Sequence, residues 1–300
     1  MESWIYFVFI SQGIWAFCTI IDKFVISKGY IKSSRVFIVL NGAMNIFIIF
    51  LLPFVDFYLL KFTDMLVALL SGVMLAAAVT LYYKAVQYDE ISRVTMLNQI
   101  TPAFVLILSF LFLSDVLTKN HLIGFLFLLG SGLLVSYRAS EKKFKWSKAF
   151  YYMLASAFLS AISVVSAKYI FSVTDFWNAV LWLRIASFSA LGALFIPSVR
   201  KQFVETFKGM ANKIKGLLGF KMIIDFSAMI ISGFAVLMGP IYLVSALASS
   251  VLPLFVFILA SITSVYIPKI VKEDIDKKTI LTKTLSIVMI IIGVVFINLS

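Results

Sequence analysis

The stretch Leu97-Asn98-Gln99-Ile100-Thr101-Pro102 stands near the start of a run of roughly twenty apolar residues, the length of a membrane-spanning helix. Proline cannot donate to the carbonyl four residues back, here that of Asn98, so Pro102 is expected to break the helix. In hydrocarbon the freed carbonyl needs a neighbouring helix, a side chain or water as its partner. A partial copy, Ser249-Ser250-Val251-Leu252-Pro253, predicts a second break. Polar breaks of this kind are typical of helices that face a cavity.

The composition indicates an integral membrane protein. Apolar residues occupy 62% of the 300 positions and charged residues 13%, and the apolar excess comes in blocks of about twenty. Alternating polarity is almost absent, which argues against an outer-membrane barrel. One cysteine (Cys18) and one histidine (His121) exclude an intrachain disulfide and a metal cluster of nitrogen and sulfur ligands. We expect no cofactor and no metal, and we read the net charge of +12 as loop asymmetry rather than as nucleic-acid binding.

The hydropathy pattern predicts an all-α protein with ten transmembrane helices. The predicted spans are 4–23, 36–55, 65–86, 94–113, 120–137, 149–171, 177–197, 221–238, 241–267 and 279–299. Matching features recur five spans apart: Lys23 and Lys168, Pro53 and Pro197, Pro102 and Pro253, Gly132 and Gly293. We therefore predict two five-helix repeats, 1–140 and 141–300. Because five is odd, the second repeat must cross the membrane inverted, an arrangement that places a binding site near the midplane.

The positive charges predict the orientation. All but four of the 26 Lys and Arg residues lie in connections on one side, the exceptions being Lys61, Lys119, Lys168 and Arg184. By the positive-inside rule the basic connections are cytoplasmic. Both termini are then predicted to lie on the outer side of the membrane, which is the cell (plasma or inner) membrane. The segment 198–220 has the pattern of a basic amphipathic helix that lies in the cytoplasmic headgroup layer, with a solvated linker as the alternative.

The motifs resemble the repeat of EamA-type carriers in the drug/metabolite transporter superfamily. The resemblance rests on Tyr82-Tyr83-Lys84-Ala85-Val86, Thr101-Pro102-Ala103-Phe104, Phe112-Leu113-Ser114-Asp115 and the second-half stretches 239–247 and 253–256. It implies ten helices, two inverted repeats and a pathway lined mainly by the first, third, fourth, sixth, eighth and ninth helices. In that pattern an acidic residue follows the fourth helix, a place that Asp115 fills. The second half departs from the pattern, because Tyr266 stands at the matching place.

Charged candidates for the site lie near helix ends and inside one span. Lys23 and Lys168 are gating or substrate candidates, although a lysine at a helix end also snorkels to water. Asp115 is a gating or salt-bridge candidate. Asp22 is expected to be exposed at the interface, with pairing to a neighbouring helix as the alternative. Arg184 lies within the seventh span, where an arginine is a functional candidate by default. Outward snorkelling or pairing with Asp175 is the alternative for Arg184.

Polar and aromatic candidates lie on the pathway helices that the resemblance implies. They are Asn98, Gln99, Thr101, Ser245, Ser249 and Ser250, together with Gln12 and Trp15 on the first span and Tyr82 and Tyr83 on the third. Helix–helix hydrogen bonding is the alternative for the small and amide side chains, and interfacial anchoring for the aromatic ones. Asn41 and Asn45 are assigned to such helix–helix hydrogen bonds.

These features predict a secondary carrier, not an enzyme, that moves a small polar or amphipathic metabolite by alternating access. No serine–histidine–aspartate set and no phosphate-binding loop are present. Few intramembrane carboxylates are expected, with Asp225 isolated, so facilitated diffusion or exchange fits at least as well as proton coupling. The alternatives are a flippase for a lipid-linked or amphiphilic substrate, and a membrane-embedded enzyme or a scaffold. The expected partners are the lipid bilayer and the metabolite, and a homodimer is left open.

Overall fold

The computed structural model describes residues 2–31, 34–88, 97–113, 118–136, 148–266 and 277–299. Over these ranges the regular structure is helical, without strands. The α-helices are α1 (Ser3–Ser27), α2 (Ser34–Ala43), α3 (Phe62–Tyr88), α4 (Thr101–Leu113), α5 (Lys119–Ser136), α6 (Lys148–Val173), α7 (Phe176–Ser187), α8 (Pro197–Gly209), α9 (Asn212–Met238), α10 (Ile241–Tyr266) and α11 (Lys277–Asn298).

Six of these helices are long and apolar enough to cross a membrane, namely α1, α3, α6, α9, α10 and α11. The other predicted spans fall on shorter apolar helices. Many large apolar side chains point outward, including Phe54, Leu111, Phe112 and Phe195, of which Phe195 is 92% exposed. Because a soluble surface rarely carries so much exposed apolar area, these side chains fit a surface that faces lipid. The molecule is an all-α, multi-pass membrane protein.

The second and seventh predicted spans are not continuous α-helices. The second continues from α2 into 3-10 helices at Met44–Phe50 and Leu52–Phe54, and the seventh continues from α7 into a 3-10 helix at Phe188–Phe195. A 3-10 helix rises about 2.0 Å per residue, against about 1.5 Å in an α-helix, so it crosses the same depth with fewer residues. The second and seventh spans, which are counterparts in the predicted repeat, therefore both change helix type partway along.

The two prolines do not act as predicted. α4 begins at Thr101, which puts Pro102 in its first turn, where the missing N–H costs little. The break is real, because residues 99–100 form a turn, but it precedes the proline. The second predicted break is wrong: α10 runs without interruption from Ile241 to Tyr266 with Pro253 inside it. The likeness of the two sequences therefore does not extend to their backbones.

The amphipathic segment 198–220 is not one helix. α8 ends at Gly209, and α9 begins at Asn212 and continues without a break to Met238. The helix of the eighth predicted span therefore starts at Asn212, nine residues before the predicted start of the span at residue 221. Its basic first turns, which the sequence pattern predicts as part of a surface helix, belong to α9.

Helix packing brings the two halves of the chain together. α1 packs against α9 and α10, α3 against α6 and α7, α4 against α6 and α10, and α5 against α10 and α11. α1 and α9 are antiparallel, since Phe7 stacks on Phe234 while Asp22 meets Lys221. The main apolar cluster is drawn from α1, α4, α5, α6, α9, α10 and α11.

Candidate functional site

The turn before α4 places Gln99 in the interior between α4, α5 and α10. Gln99 is 5% exposed, whereas Asn98 beside it is exposed. A Cβ atom built on Gly132 of α5 would lie 2.7 Å from the Gln99 side-chain oxygen and 3.5 Å from Ser250 Oγ on α10. Gly132 therefore leaves the space in which an amide and a hydroxyl from opposite halves of the chain approach each other.

Ser250 is held in place by its own bonds. Its hydroxyl lies 2.6 Å from the Leu128 carbonyl oxygen on α5 and 2.8 Å from that of Ala246 on its own helix. Gln99 in the turn before α4 and Ser250 of α10 therefore both lie beside Gly132. The two serine candidates of this region differ in exposure, because Ser249 is half-buried and Ser250 is fully buried.

A buried ion cluster joins α1 to α9. Lys221 is 4% exposed, and its Nζ lies 2.6 Å from Asp225 Oδ2 and 3.3 Å from Asp22 Oδ1. The Cys18 thiol completes the group, 4.0 Å from the backbone oxygen of Lys221. We call Asp22, Lys221 and Asp225 the Asp–Lys–Asp cluster. Its two carboxylates and one ammonium carry a formal charge of −1.

The Asp–Lys–Asp cluster corrects three predictions. Asp225 is not isolated, Asp22 is part of a buried pair rather than free at the interface, and Lys221 is not in a cytoplasmic connection but inside α9. The structure thus places two carboxylates between helices, where the sequence predicts few. The reason for disfavouring proton coupling is correspondingly weaker. The spacing of Lys221 and Asp225, four residues apart on one helix face, was the available signal.

Arg184 contacts the second predicted span. Its Nη1 donates to Asn45 Oδ1 at 3.3 Å, and Asn45 is buried, with its Nδ2 donating to the Gly42 carbonyl at 2.9 Å. Arg184 does not pair with Asp175, which caps the N-terminus of α7 instead. The assignment of Asn45 to a helix–helix hydrogen bond is confirmed, while the side chain of Asn41 lies outside the described residues.

Lys168 caps the C-terminus of α9. Its Nζ donates to the carbonyl oxygens of Val236 at 2.7 Å, Leu237 at 2.9 Å and Gly239 at 3.0 Å. The last carbonyls of a helix lack partners within the helix, and a cation there also interacts favourably with the helix dipole. This capping gives a structural reason for a lysine outside the predicted basic connections.

We expect Lys168→Met to lower the free energy of unfolding by about 2 kcal/mol, because charge-assisted hydrogen bonds to otherwise unpaired carbonyls are lost. Thermal unfolding of purified protein in detergent measures the change. Lys23→Met is the matched control, because Lys23 is the predicted repeat counterpart and is exposed. Its effect should stay within about 0.5 kcal/mol. Equal losses in the two variants would contradict the capping role.

Asp175 organises the connection between α6 and α7. Its Oδ1 accepts from the backbone N–H groups of Trp177 and Asn178, both at 3.0 Å, and its Oδ2 accepts from the Tyr58 hydroxyl at 2.7 Å. Partial burial alone would raise the pKa of Asp175, but the hydrogen bonds from Asn178, Tyr58 and Trp177 lower it below its ordinary value. The connection between the second and third predicted spans is thereby attached to α7.

We expect Asp175→Ala to cost about 1 kcal/mol of stability near neutral pH, the usual loss for an N-cap. Because the folded pKa is lowered, the carboxylate's contribution is present above the unfolded pKa of about 3.9 and is lost as the pH falls through the folded value. The difference in melting temperature between wild type and Asp175→Ala should therefore shrink on acidification. A difference that grows at acidic pH would contradict this assignment.

The other predicted site residues divide by exposure. Gln12 is buried, and Trp15, Tyr82 and Ser245 are half-buried. The side chain of Tyr83, and Asp115 as a whole, lie outside the described residues. Among the residues that the structure does describe, no group of three or more His, Cys, Asp or Glu side chains could hold a metal ion.

Comparisons with known proteins give a family match for the first half of the chain. Residues 2–137 match the EamA-like transporter family. One solved structure, described only as "Crystal structure of protein", aligns with a TM-score of 0.62 at 14% sequence identity, over 99% of this chain and 95% of that chain. At this identity the likeness shows the fold alone. Curated proteins provide no match.

The family match confirms the resemblance seen in the sequence motifs. It covers Trp15 on α1, Tyr82 on α3 and Gln99 in the turn before α4. Over residues 2–137, a little under half of its length, the chain is similar to the EamA-like transporter family, and this similarity supports a membrane transporter of the drug/metabolite transporter superfamily.

Proposed function

We propose that this protein is a ten-span secondary transporter that moves a small polar or amphipathic metabolite by alternating access. The two inverted repeats comprise residues 1–140 and 141–300 and rock about a site near the membrane midplane. The observation that carries this proposal is the meeting of Gln99, Gly132 and Ser250, where polar groups from both halves of the chain come together in the interior.

The packing of the helices supports two repeats. A shift of five spans converts the contact of α1 with α9 into that of α6 with α3, and the contact of α1 with α10 into that of α6 with α4, and all four contacts are present. The fourth and ninth spans (α4 and α10) and the fifth and tenth (α5 and α11) pair with their own counterparts. This correspondence is the one that two five-span repeats predict.

The relative directions of the helices support inversion. Ser71 contacts Ser163 while the Ala78 carbonyl accepts from Ser156, so α3 and α6 are antiparallel. Contacts of His121 with Tyr242 and of Leu128 with Ser250 make α5 and α10 parallel. These directions are the ones expected when every predicted span crosses the membrane once. Counterparts five spans apart then run oppositely.

A transport assay in proteoliposomes tests this proposal. We expect uptake or efflux of a solute by wild type and loss of most of that activity in Gln99→Ala, because the amide lies between the halves. Gln202→Ala on α8 is the matched control, since it removes the same group from an exposed position. Equal activity of the two variants would contradict a role for Gln99 in the transport pathway. Lipid scrambling without solute transport would favour a flippase and contradict the carrier.

We further propose that both termini lie outside and that the basic connections are cytoplasmic, as the charge distribution indicates. The assignment can be tested with a reporter that is active only in the cytoplasm, fused after Ser300. We expect this fusion to be inactive, and the same reporter inserted after Glu141 to be active. The reverse pattern would overturn the orientation without affecting the transport proposal.

A further inference from the structure

Arg184 is a half-buried charged side chain placed among apolar neighbours, seven residues into the seventh predicted span. On α7 it follows Leu183 and Val180, both buried in an apolar cluster that also includes Ile48 and Ala68. The guanidinium head reaches Asn45, which stands near the centre of the second predicted span. A side chain that snorkelled to water would reach a span end instead. The guanidinium is therefore held at depth.

The hydrogen-bonding capacity of this guanidinium is mostly unused within the described part of the chain. Arg184 has five N–H donors and stays charged at any physiological pH. Its Nη1 makes the one 3.3 Å contact with Asn45, and its buried Nε has no acceptor among the described residues. The Asn45 amide is fixed by its bond to the Gly42 carbonyl, so its oxygen stays directed at the arginine.

The carboxylates that the structure describes inside the protein are engaged elsewhere. Asp22 and Asp225 flank Lys221, and Asp64 accepts from the Tyr169 hydroxyl at 2.9 Å. A buried charge without a counter-charge is costly, and a guanidinium is complementary in shape to carboxylate and phosphate groups. A counter-ion that arrives from outside the chain would remove this cost.

The position of Arg184 also suits a transported ligand. Asn45 is the second residue of the 3-10 segment of the second span, and Arg184 lies one turn before the 3-10 segment of the seventh. Changes from α to 3-10 within a helix frequently mark hinges. We propose that Arg184, oriented by Asn45, binds the carboxylate or phosphate group of an anionic substrate. This inference rests on the proposed transport function and specifies its substrate class.

Melting temperatures of purified protein in a non-ionic detergent without phospholipid test the site. The probes are inorganic phosphate, succinate and uridine monophosphate, with succinamide, uridine and sodium chloride at matched ionic strength as neutral and salt controls. We expect at least one anion to raise the wild-type melting temperature by several degrees, since a ligand of the folded state stabilises it. The same anion should leave Arg184→Gln unshifted. An equal shift in both proteins, or no anion that exceeds its control, would overturn the proposal.

Two further variants separate binding from structure. Asn45→Asp supplies a carboxylate beside the guanidinium, so we expect a higher melting temperature without ligand and loss of the anion shift. A lower melting temperature with the anion shift intact would count against the proposal. Lys168→Gln serves as the control for a lost cation, because its ammonium bonds carbonyls of α9; it should lower the melting temperature and retain the shift.

Two outcomes distinguish this inference from the proposed function. Transport of a neutral solute that survives Arg184→Gln would refute the anion site and leave the carrier standing. Binding of soluble anions that depends on Arg184, with no transport of any of them, would refute the carrier and leave the site standing. A shift produced by added phosphatidylglycerol but by no soluble anion would identify a lipid phosphate and overturn the substrate assignment.

Discussion

Lys221→Met should lower the free energy of unfolding by about 3–5 kcal/mol, the usual cost of removing one partner from a buried ion pair. The substitution keeps most of the apolar stem of the side chain but leaves Asp22 and Asp225 facing each other without the ammonium between them. Unfolding in mixed detergent micelles measures the loss. At this magnitude we also expect a reduced yield of folded protein.

A neutral version of the same site is the control. Asp22→Leu, Lys221→Met and Asp225→Leu together remove every charge of the Asp–Lys–Asp cluster, and replacing a whole buried ion group by apolar residues is often neutral or stabilising. The triple variant should therefore recover most of the stability that Lys221→Met loses. If the triple variant is as unstable as the single one, the loss comes from packing around Lys221 and not from unpaired charge.

Gly72→Ala should be the second severe substitution, costing about 3 kcal/mol, near the upper end for overpacking. A Cβ atom at Gly72 of α3 would lie 2.2 Å from the Ala186 backbone oxygen and 2.8 Å from the Ala186 Cβ on α7. The backbone of α7 cannot yield as a flexible side chain would, so α3 and α7 must separate. The two helices belong to opposite halves of the chain, and transport should fall as well.

Gly216→Ala is the matched control for Gly72→Ala. Gly216 is exposed within α9, and a Cβ atom there meets nothing within 4 Å. Alanine favours a helix interior over glycine by roughly 0.8–1.0 kcal/mol, so this variant should be slightly stabilised. Opposite signs for the same chemical change would place the effect in the contact between α3 and α7. Two effects of the same sign would refute that explanation.

Local patterns were sufficient where a property depends on neighbours along the chain. The apolar blocks predicted helical segments, and the motifs around Tyr82 and Thr101 indicated the family that the match over residues 2–137 confirms. Capping of α9 by Lys168 was not foreseen, because the three carbonyls come from residues nearly seventy positions later. The sequence pattern also did not predict the changes from α-helix to 3-10 helix, because an apolar run has the same composition in both helix types.

The opening stretch Leu97–Pro102 shows both sides of this division. Its residues predict a helix start or break there, because proline lacks a backbone donor, but the missing donor is not decisive by itself. Pro253 has the same chemistry and lies within an unbroken α10. Only the tertiary structure decided that Gln99 faces inward beside Gly132 and Ser250 while Asn98 faces outward. It likewise decided that Lys221 holds two aspartates and that Arg184 meets an asparagine. The physical reason is that charges and amides act over a few ångströms in space, whereas a sequence records only separation along the chain.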